Sequence, residues 1–132
     1  MIFDTTYTDK EVTKSINDLV GKSFGFWDRI KLNGIGSPRM IVLKVTPKLS
    51  EYINPGESTN YTNIELRPEG IIVHLKKRTQ TYGWVIPFQY LSFNDTLSEI
   101  SDEAHTIQLN NPSHDSLSFL NKIIKQKQLL SK

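Results

Sequence analysis

The cations at Lys76, Lys77 and Arg78, followed by aromatic residues at Tyr82 and Trp84, are the part of this sequence best suited to bind a ligand. Ammonium and guanidinium groups bind phosphate, and a ring beside them can stack on a base or a sugar, as in proteins that bind single-stranded nucleic acid. These five residues are therefore the predicted contact for an anionic partner, either nucleic acid or a membrane surface. The alternative is a basic hairpin tip that serves solubility alone, with both rings in the core.

The three histidines, His74, His105 and His114, are the other side chains whose type permits catalysis or metal binding. None has a His-x-Glu or His-Glu-x-x-His spacing, and the sequence has no Gly-x-Ser-x-Gly elbow for a nucleophilic serine. The lack of cysteine excludes thiolate catalysis and cysteine-based metal sites. We therefore assign no catalytic, cofactor-binding or metal-binding residue, and an enzyme is the less favoured class.

A small hydrolase or another ligand-transforming enzyme is the alternative function. Its chemistry would be built around His114 and Asp115, with a pocket under the irregular segment from Thr46 to Tyr61. A loop of this length is either functional or merely long, and its sequence does not decide between the two. A pocket with convergent polar groups there would favour the enzyme.

Length and composition bound the class of protein. A chain of 132 residues, 37% of them hydrophobic, is expected to form a single domain, residues 1–132, whose core needs no disulfide or metal. The net charge of +2 is too small to indicate nucleic-acid binding by itself. The first ten residues lack a secretory signal, and no apolar run approaches the ~20 residues of a membrane span, so we expect a soluble cytoplasmic protein.

The segment from Asn63 to Phe93 predicts three consecutive antiparallel strands, because apolar residues alternate along it and turn residues interrupt it twice. The first turn is Arg67–Gly70, in which a proline presets one backbone angle and the glycine tolerates a left-handed one. The second connection, Lys77–Thr81, is polar and basic, as expected of a solvated hairpin tip. The third strand should end at Pro87, which has no backbone donor for a sheet.

The register of the first hairpin is left open by the sequence. A three-residue loop places Leu66 opposite Ile72, whereas a four-residue loop places it opposite Ile71. We favour burial of the face that carries Ile71, Val73 and Leu75, because the opposite choice would bury a histidine and a lysine.

Before this segment the sequence predicts a helix. Thr8 and Glu11 have the spacing of a capping box, an apolar stripe runs as far as Val20, and Gly21 supplies the stop. The stripe needs a partner surface on the flank or at the mouth of the sheet.

Two strands are predicted after that helix. Alternating apolar residues over Ser23–Leu32 indicate a first strand, and the glycine-rich stretch Asn33–Pro38 is interpreted as a hairpin turn rather than a phosphate loop. The nearly continuous apolar run Arg39–Val45 is typical of a central strand that is covered on both faces.

The C-terminal part predicts a hairpin and a helix. Leu97–Ile100 and His105–Leu109 indicate two short strands. Asn111–Asp115 has the features of a helix start, with a capping side chain, a proline and an acidic residue. The amphipathic helix that follows must cover a surface.

The order of elements from Ile64 to Ile124 resembles bacterial members of the pleckstrin-homology-like (PH-like) superfold, where short antiparallel strands are closed by one C-terminal helix. The similar features are the strand-turn-strand IELRPEGIIVHL, the strand WVIPFQYL, the strand HTIQL and the terminal helix. The resemblance implies a barrel of a kind that serves phosphoinositide binding, peptide binding or scaffolding. Lipid-binding relatives carry cations in the loop joining their first two strands, whereas Asn33–Pro38 holds none, so no ligand-binding residue is carried over.

These patterns predict an α+β fold that is mostly antiparallel β: a PH-like bent-sheet barrel with an N-terminal helix and a C-terminal capping helix. The predicted function is a non-catalytic binding or interaction module that uses no cofactor. Its partner would be a protein or an anionic molecule, and the sequence leaves both the partner and the oligomeric state open.

Overall fold

The structure, a computed structural model, describes residues 1–56 and 59–130. These residues form an α+β fold in which eight antiparallel strands make one sheet, so the predicted fold class is confirmed. The strands are β1 (Ile2–Asp4), β2 (Met40–Val45), β3 (Asn60–Arg67), β4 (Gly70–Lys77), β5 (Gln80–Pro87), β6 (Ser92–Phe93), β7 (Glu99–Ser101) and β8 (Thr106–Leu109). The α-helices are α1 (Lys10–Val20), α2 (Phe26–Lys31) and α3 (His114–Leu130).

The sheet has the strand order β1-β5-β4-β3-β2-β8-β7-β6 and is bent without closing into a barrel. The bend brings Trp84 on β5 within hydrogen-bonding distance of Asp102, in the turn between β7 and β8, although four strands separate β5 from β7 in the sheet order. Buried residues from both halves of the sheet and from α3 form one cluster on the concave side. The C-terminal helix packs on the sheet, as predicted, and covers the concave face of an open sheet rather than the end of a closed barrel.

The central hairpin has the register expected for the four-residue loop, with Leu66 opposite Ile71, but the pairing continues to Arg67 and Gly70, so the turn itself is only Pro68 and Glu69. The face that carries Ile71 is buried in the main core, as expected. The opposite face is also covered in part, because Ile72 and Val85 pack against Val20 and its neighbours on α1. The sheet is thus sandwiched between α3 on one side and α1 on the other.

Gly70 closes this hairpin for a reason other than the predicted left-handed conformation, because its φ is not positive. A Cβ atom built at this position would lie 2.4 Å from the carbonyl oxygen of Ile86 and 2.5 Å from Cγ1 of Val20. The neighbouring Glu69 donates its backbone N–H to the carbonyl of Val20 at 2.9 Å. Glycine is required here because α1 and β5 both approach the turn closely.

The predicted first strand at residues 23–32 is wrong, because this segment contains helix α2. Asp28 lies in the first turn of α2 and Lys31 in the last, which complements the helix dipole. Phe24 and Leu32 at the two ends pack against the main core, whereas the apolar side chains between them are exposed. The alternation in the sequence therefore does not mark one face of a strand, because only Phe24 and Leu32, at the two ends of the segment, contact the core.

The predicted hairpin turn at Asn33–Pro38 is also wrong, because a helix precedes it. Its residues run beside β3 instead: Leu66 donates its N–H to the carbonyl of Ile35 at 2.7 Å, and Ser37 donates its N–H to that of Ile64 at 2.8 Å. This segment connects α2 to β2 along the sheet.

β2 confirms the strand predicted at Arg39–Val45 and lies between β3 and β8. The prediction that both of its faces are covered is wrong. Met40 is buried, but Ile41 and Leu43 are 37% and 54% exposed. These side chains face solvent because α1 covers a different part of the sheet.

The long loop from Thr46 to Tyr61 contains a 3-10 turn at Leu49–Tyr52, with Leu49 fully buried. Glu57 and Ser58 of this loop lie outside the described residues. The predicted hairpin that follows the central strands is present as β7 and β8.

Asp9, rather than the predicted Thr8, caps α1. Its carboxylate accepts hydrogen bonds from the backbone N–H groups of Glu11 at 2.8 Å and Val12 at 3.2 Å. Gly21 ends the helix with a φ of 85°, as predicted. The Asp9 carboxylate, one position after Thr8, therefore caps the helix in place of the predicted capping box of Thr8 and Glu11.

α3 begins at the predicted place, where Ser113 accepts the backbone N–H of Ser116 on its hydroxyl at 3.2 Å. Phe119, Leu120 and Ile123 form its buried face. In the part of the chain that the structure describes, no helix is long and apolar enough to span a bilayer.

Candidate binding site

The hairpin tip, defined as Lys76, Lys77 and Arg78, lies where β4 turns into β5. Lys76 is exposed on the outer face of the sheet. Lys77 is half-buried and donates from Nζ to the carbonyl of Glu51 at 3.1 Å. Arg78 has a φ of 57° and donates its backbone N–H to Oδ1 of Asn54 at 2.7 Å. The tip is therefore fastened to the long loop through Lys77 and the backbone of Arg78.

The two rings predicted to accompany these cations lie on the concave side of the sheet. Tyr82 packs edge-on against Tyr52, with 4.9 Å between ring centroids, and its hydroxyl donates to Gln80 at 2.9 Å. Trp84 is 0% exposed and donates from Nε1 to Asp102. Trp84 is thus a core residue, and its ring is not available to a partner at the surface.

A groove of about 660 Å³ lies on the outer face of β3 and β4, between the tip and the long loop. We call this feature the binding groove. Its floor is formed by Asn63 and His74, which lie directly opposite each other on the two strands. Lys76 of the tip lines one end, so the structure joins one of the predicted contact residues to a concave surface.

Arg39 forms part of the wall of the binding groove. Its guanidinium lies 4.3 Å from the centre of the Tyr61 ring, which is 44% exposed beside it. Such stacking holds a planar cation in place while leaving its edge free to donate hydrogen bonds. Arg39 was not predicted as a site residue, because it lies far from Lys76 in the sequence and only the folded sheet brings the two onto one surface.

Thr5 and Thr81 line the binding groove on the side of β1 and β5. Their hydroxyl oxygens are 3.2 Å apart and share a hydrogen bond. Hydroxyl and amide groups here can donate to, or accept from, a polar ligand. The groove thus offers polar groups beside a comparable share of apolar surface.

Beside the floor of the groove, on the same outer face of the sheet, His74 Nε2 lies 3.3 Å from Oε1 of Glu65, and Arg67 Nε donates to the other carboxylate oxygen. Burial disfavours the charged form of Glu65, but the hydrogen bonds from His74 and Arg67 outweigh it and lower its pKa to about 2. Arg67 also donates from Nη1 to Asn17 at 3.0 Å and to the carbonyl of Gly21 at 2.9 Å. This network fixes the His74 ring and ties the groove to the end of α1.

The charge of the binding groove is positive. Arg39 and Lys76 both line it, and among the described residues that line it there is no aspartate or glutamate. Glu65 lies beside His74, is not among the residues that line the groove, and has its charge balanced by Arg67. The groove is thus suited to a polar ligand that carries a phosphate or carboxylate group.

His114 and Asp115, the pair predicted for the alternative enzyme, lie outside the binding groove. Their nearest nitrogen and oxygen are 3.8 Å apart, and the side chains are 98% and 89% exposed. His105 contacts Trp84 edge-on at 6.0 Å between centroids, and its buried Nδ1 has no hydrogen-bond partner within the described residues. Nor do the described residues hold a group of three or more His, Cys, Asp or Glu placed to bind a metal.

A second surface feature is the α2 patch, defined as Phe26, Trp27 and Ile30. These side chains are 69%, 74% and 56% exposed, and α2 has no buried residue. This patch was not predicted, because the segment was interpreted as a strand. The acidic start and basic end of FWDRIK, followed by Asn-Gly, are the signal that could have indicated a short helix.

Comparison with known proteins finds no family model, curated protein or solved structure that matches this chain. The antiparallel sheet with its C-terminal helix is consistent with a PH-like fold.

Proposed function

We propose that this chain is a non-catalytic binding module of PH-like architecture, and that the binding groove is its ligand site. The architecture is supported by the order of short antiparallel strands bent around one C-terminal helix. The proposal of a ligand site is supported by the groove on the outer face, which borders the long loop and the tip.

The ligand is a small polar molecule with a phosphate or carboxylate group. The observation that carries this proposal is that Arg39 and Lys76 line a groove without an acidic side chain among its described residues. Arg39 is held by Tyr61 and His74 by Glu65, so two donors need little ordering when the ligand binds. An open site with two cations gives weak affinity, roughly millimolar to high micromolar, that falls with salt.

Titration of inorganic phosphate, sulfate and citrate into labelled protein, followed by amide chemical shifts, tests this proposal. Shifts should cluster at residues around Asn63 and His74. The double variant Arg39→Ala/Lys76→Ala should weaken binding by about tenfold or more, because each charged hydrogen bond lost contributes on that scale. The control Lys48→Ala/Lys125→Ala removes two exposed cations outside the groove. Equal effects of the two double variants would reject a specific site.

The tip remains the predicted contact for a larger anionic partner. Lys76 is the member of the tip that also lines the groove, while Lys77 is engaged by the long loop. A nucleic acid or membrane that bound here would therefore compete with a small anion for Lys76.

A hydrolase is kept as the second candidate because of one observation, the pairing of Glu65 with His74, which lines a groove that borders the long loop. A histidine oriented by a carboxylate is a common general base. Turnover of esterase, phosphatase or nuclease substrates that is abolished by His74→Ala, and not by the exposed control His114→Ala, would replace the binding module by an enzyme.

A further inference from the structure

The α2 patch leaves three large apolar side chains in water on one six-residue helix. Phe26 and Trp27 contact each other edge-on with 5.3 Å between ring centroids, and Ile30 follows one turn later. Contiguous exposed apolar surface of this kind is typical of an interaction site rather than of a solvated face. The patch lies on an element different from the strands that form the binding groove.

The backbone beneath the patch is held firmly. Phe24 before α2 and Leu32 after it pack against the main core. Arg29 donates from Nε to the carbonyl of Phe24 at 2.9 Å, and Lys122 on α3 donates to the carbonyls of Asn33 and Gly34 at 3.3 and 3.1 Å. The exposed side chains are therefore displayed by an anchored element, which lowers the entropy cost of binding.

The charge around the patch indicates the chemistry of the partner. Residues 22–31 contain three cations (Lys22, Arg29 and Lys31) and one carboxylate (Asp28), a net charge of +2 that equals the net charge of the whole chain. Among the described residues, neither lysine takes part in a salt bridge. A second copy of the chain placed symmetrically on this patch would bring two such positive segments together, which disfavours self-association here.

We infer that α2 is a contact element for an anionic membrane surface. Trp27 and Phe26 enter the headgroup region together with Ile30, and the flanking cations remain with the lipid phosphates and carboxylates. Aromatic rings with neighbouring lysine or arginine fit this interface because one end of the contact is apolar and the other is charged. A patch this small gives reversible binding that weakens with salt.

The test uses vesicles of phosphatidylcholine alone and vesicles with about one-third phosphatidylserine. Since Trp84 is fully buried and Trp27 is 74% exposed, a blue shift of tryptophan emission on binding reports on Trp27. The variant Phe26→Ser/Trp27→Ser should lose vesicle binding by about tenfold or more in co-sedimentation. The control Tyr7→Ser removes an aromatic residue that is 84% exposed on another part of the surface and should bind like the parent.

The variants should also keep the parental thermal midpoint, because none of the substituted side chains is buried. Failure of the parent to bind anionic vesicles, or equal binding by the parent and the double variant, would overturn the inference. A parent that dimerises in sedimentation equilibrium, with loss of the dimer in the double variant and no vesicle binding, would reassign the patch to contact between copies. The outcome is independent of the binding groove, which these variants leave intact.

Discussion

Trp84 donates a hydrogen bond from its indole Nε1 to Oδ2 of Asp102 at 2.8 Å and thereby links two distant parts of the bent sheet. The other carboxylate oxygen accepts the backbone N–H groups of Ala104 and His105, both at 2.8 Å. Burial raises the pKa of Asp102, but the hydrogen bonds from Trp84 and from the turn outweigh it and lower the pKa below its usual range. One carboxylate thus orders a turn and satisfies a buried indole.

Asp102→Ala should destabilise the fold by about 1–3 kcal/mol, because the buried N–H of Trp84 loses its acceptor. Urea unfolding followed by tryptophan fluorescence measures the change. Glu103→Ala, an exposed neighbour in the same turn, is the matched control and should stay within about 0.5 kcal/mol of the parent. If both variants were equally stable, the link between Trp84 and the turn would have no energetic role.

The low pKa of Glu65 predicts acid sensitivity. Its pKa is about 2 in the folded protein and 4.5 ordinarily, so the folded state favours the charged form. This contribution to stability is complete above pH 4.5 and is lost as the pH falls towards 2. The shift corresponds to roughly 3 kcal/mol, and solvent screening at a side chain that is 23% exposed leaves about 1–2 kcal/mol.

The measurement for Glu65 is the free energy of urea unfolding between neutral pH and pH 2. Glu65→Gln should be less stable than the parent at neutral pH and should lose less stability on acidification. Glu69→Gln changes an exposed carboxylate in the adjacent turn and should follow the parent curve. If the unfolding free energy of Glu65→Gln changed with pH in parallel with that of the parent, the low pKa of Glu65 would be contradicted.

Gly70→Ala should destabilise the protein by about 1–3 kcal/mol, because the added methyl group meets the Ile86 carbonyl and the Val20 side chain at less than 3 Å. Adding Val20→Ala should recover little of the lost stability, because the clash with the Ile86 oxygen remains and this backbone atom cannot move aside. Gly36→Ala is the control, with no atom within 4 Å of its new methyl group. Thermal unfolding of the three variants distinguishes close approach from a general intolerance of glycine replacement.

Replacement of Lys76, Lys77 and Arg78 by alanine should reduce retention on single-stranded oligonucleotide and on anionic vesicles at low salt, if the tip contacts an anionic partner. Each cation near an anionic membrane contributes on the order of 1 kcal/mol, within a Debye length of about 10 Å at 0.1 M salt. Lys77→Ala alone should have little effect, because that ammonium is already bound to the long loop. Unchanged retention of the triple variant would make the tip a solubilising edge.

Much of the sheet could be predicted because its signals are local. The Arg67–Gly70 turn and the alternation on either side of it define β3 and β4 without reference to the rest of the chain. β1 could not be predicted, because three residues carry no periodicity and its partner strand lies far away in sequence. α2 was misinterpreted because Phe24 and Leu32 supply the apolar positions that a strand would also show.

The candidate site was predictable only in part. Lys76 was identified from the run of cations to which it belongs, but the groove needs Arg39 and the floor at His74, which only the folded sheet brings together. Trp84 was assigned to the same surface, and the register of β4 and β5 places it on the opposite face. Period-2 alternation defines two faces of a strand but not which of them a neighbouring helix will cover.

The pairing of β1 with β5 has a consequence for the order of folding. The amino group of Met1 reaches the carbonyl of Val85, 84 positions away, and Ile2 lies opposite Trp84. A contact of that separation closes a very long loop, so it forms after the local hairpin of β4 and β5 has supplied an edge. During synthesis on the ribosome, β1 therefore stays unpaired until its partner β5 has emerged, and β5 ends about two-thirds of the way along the sequence.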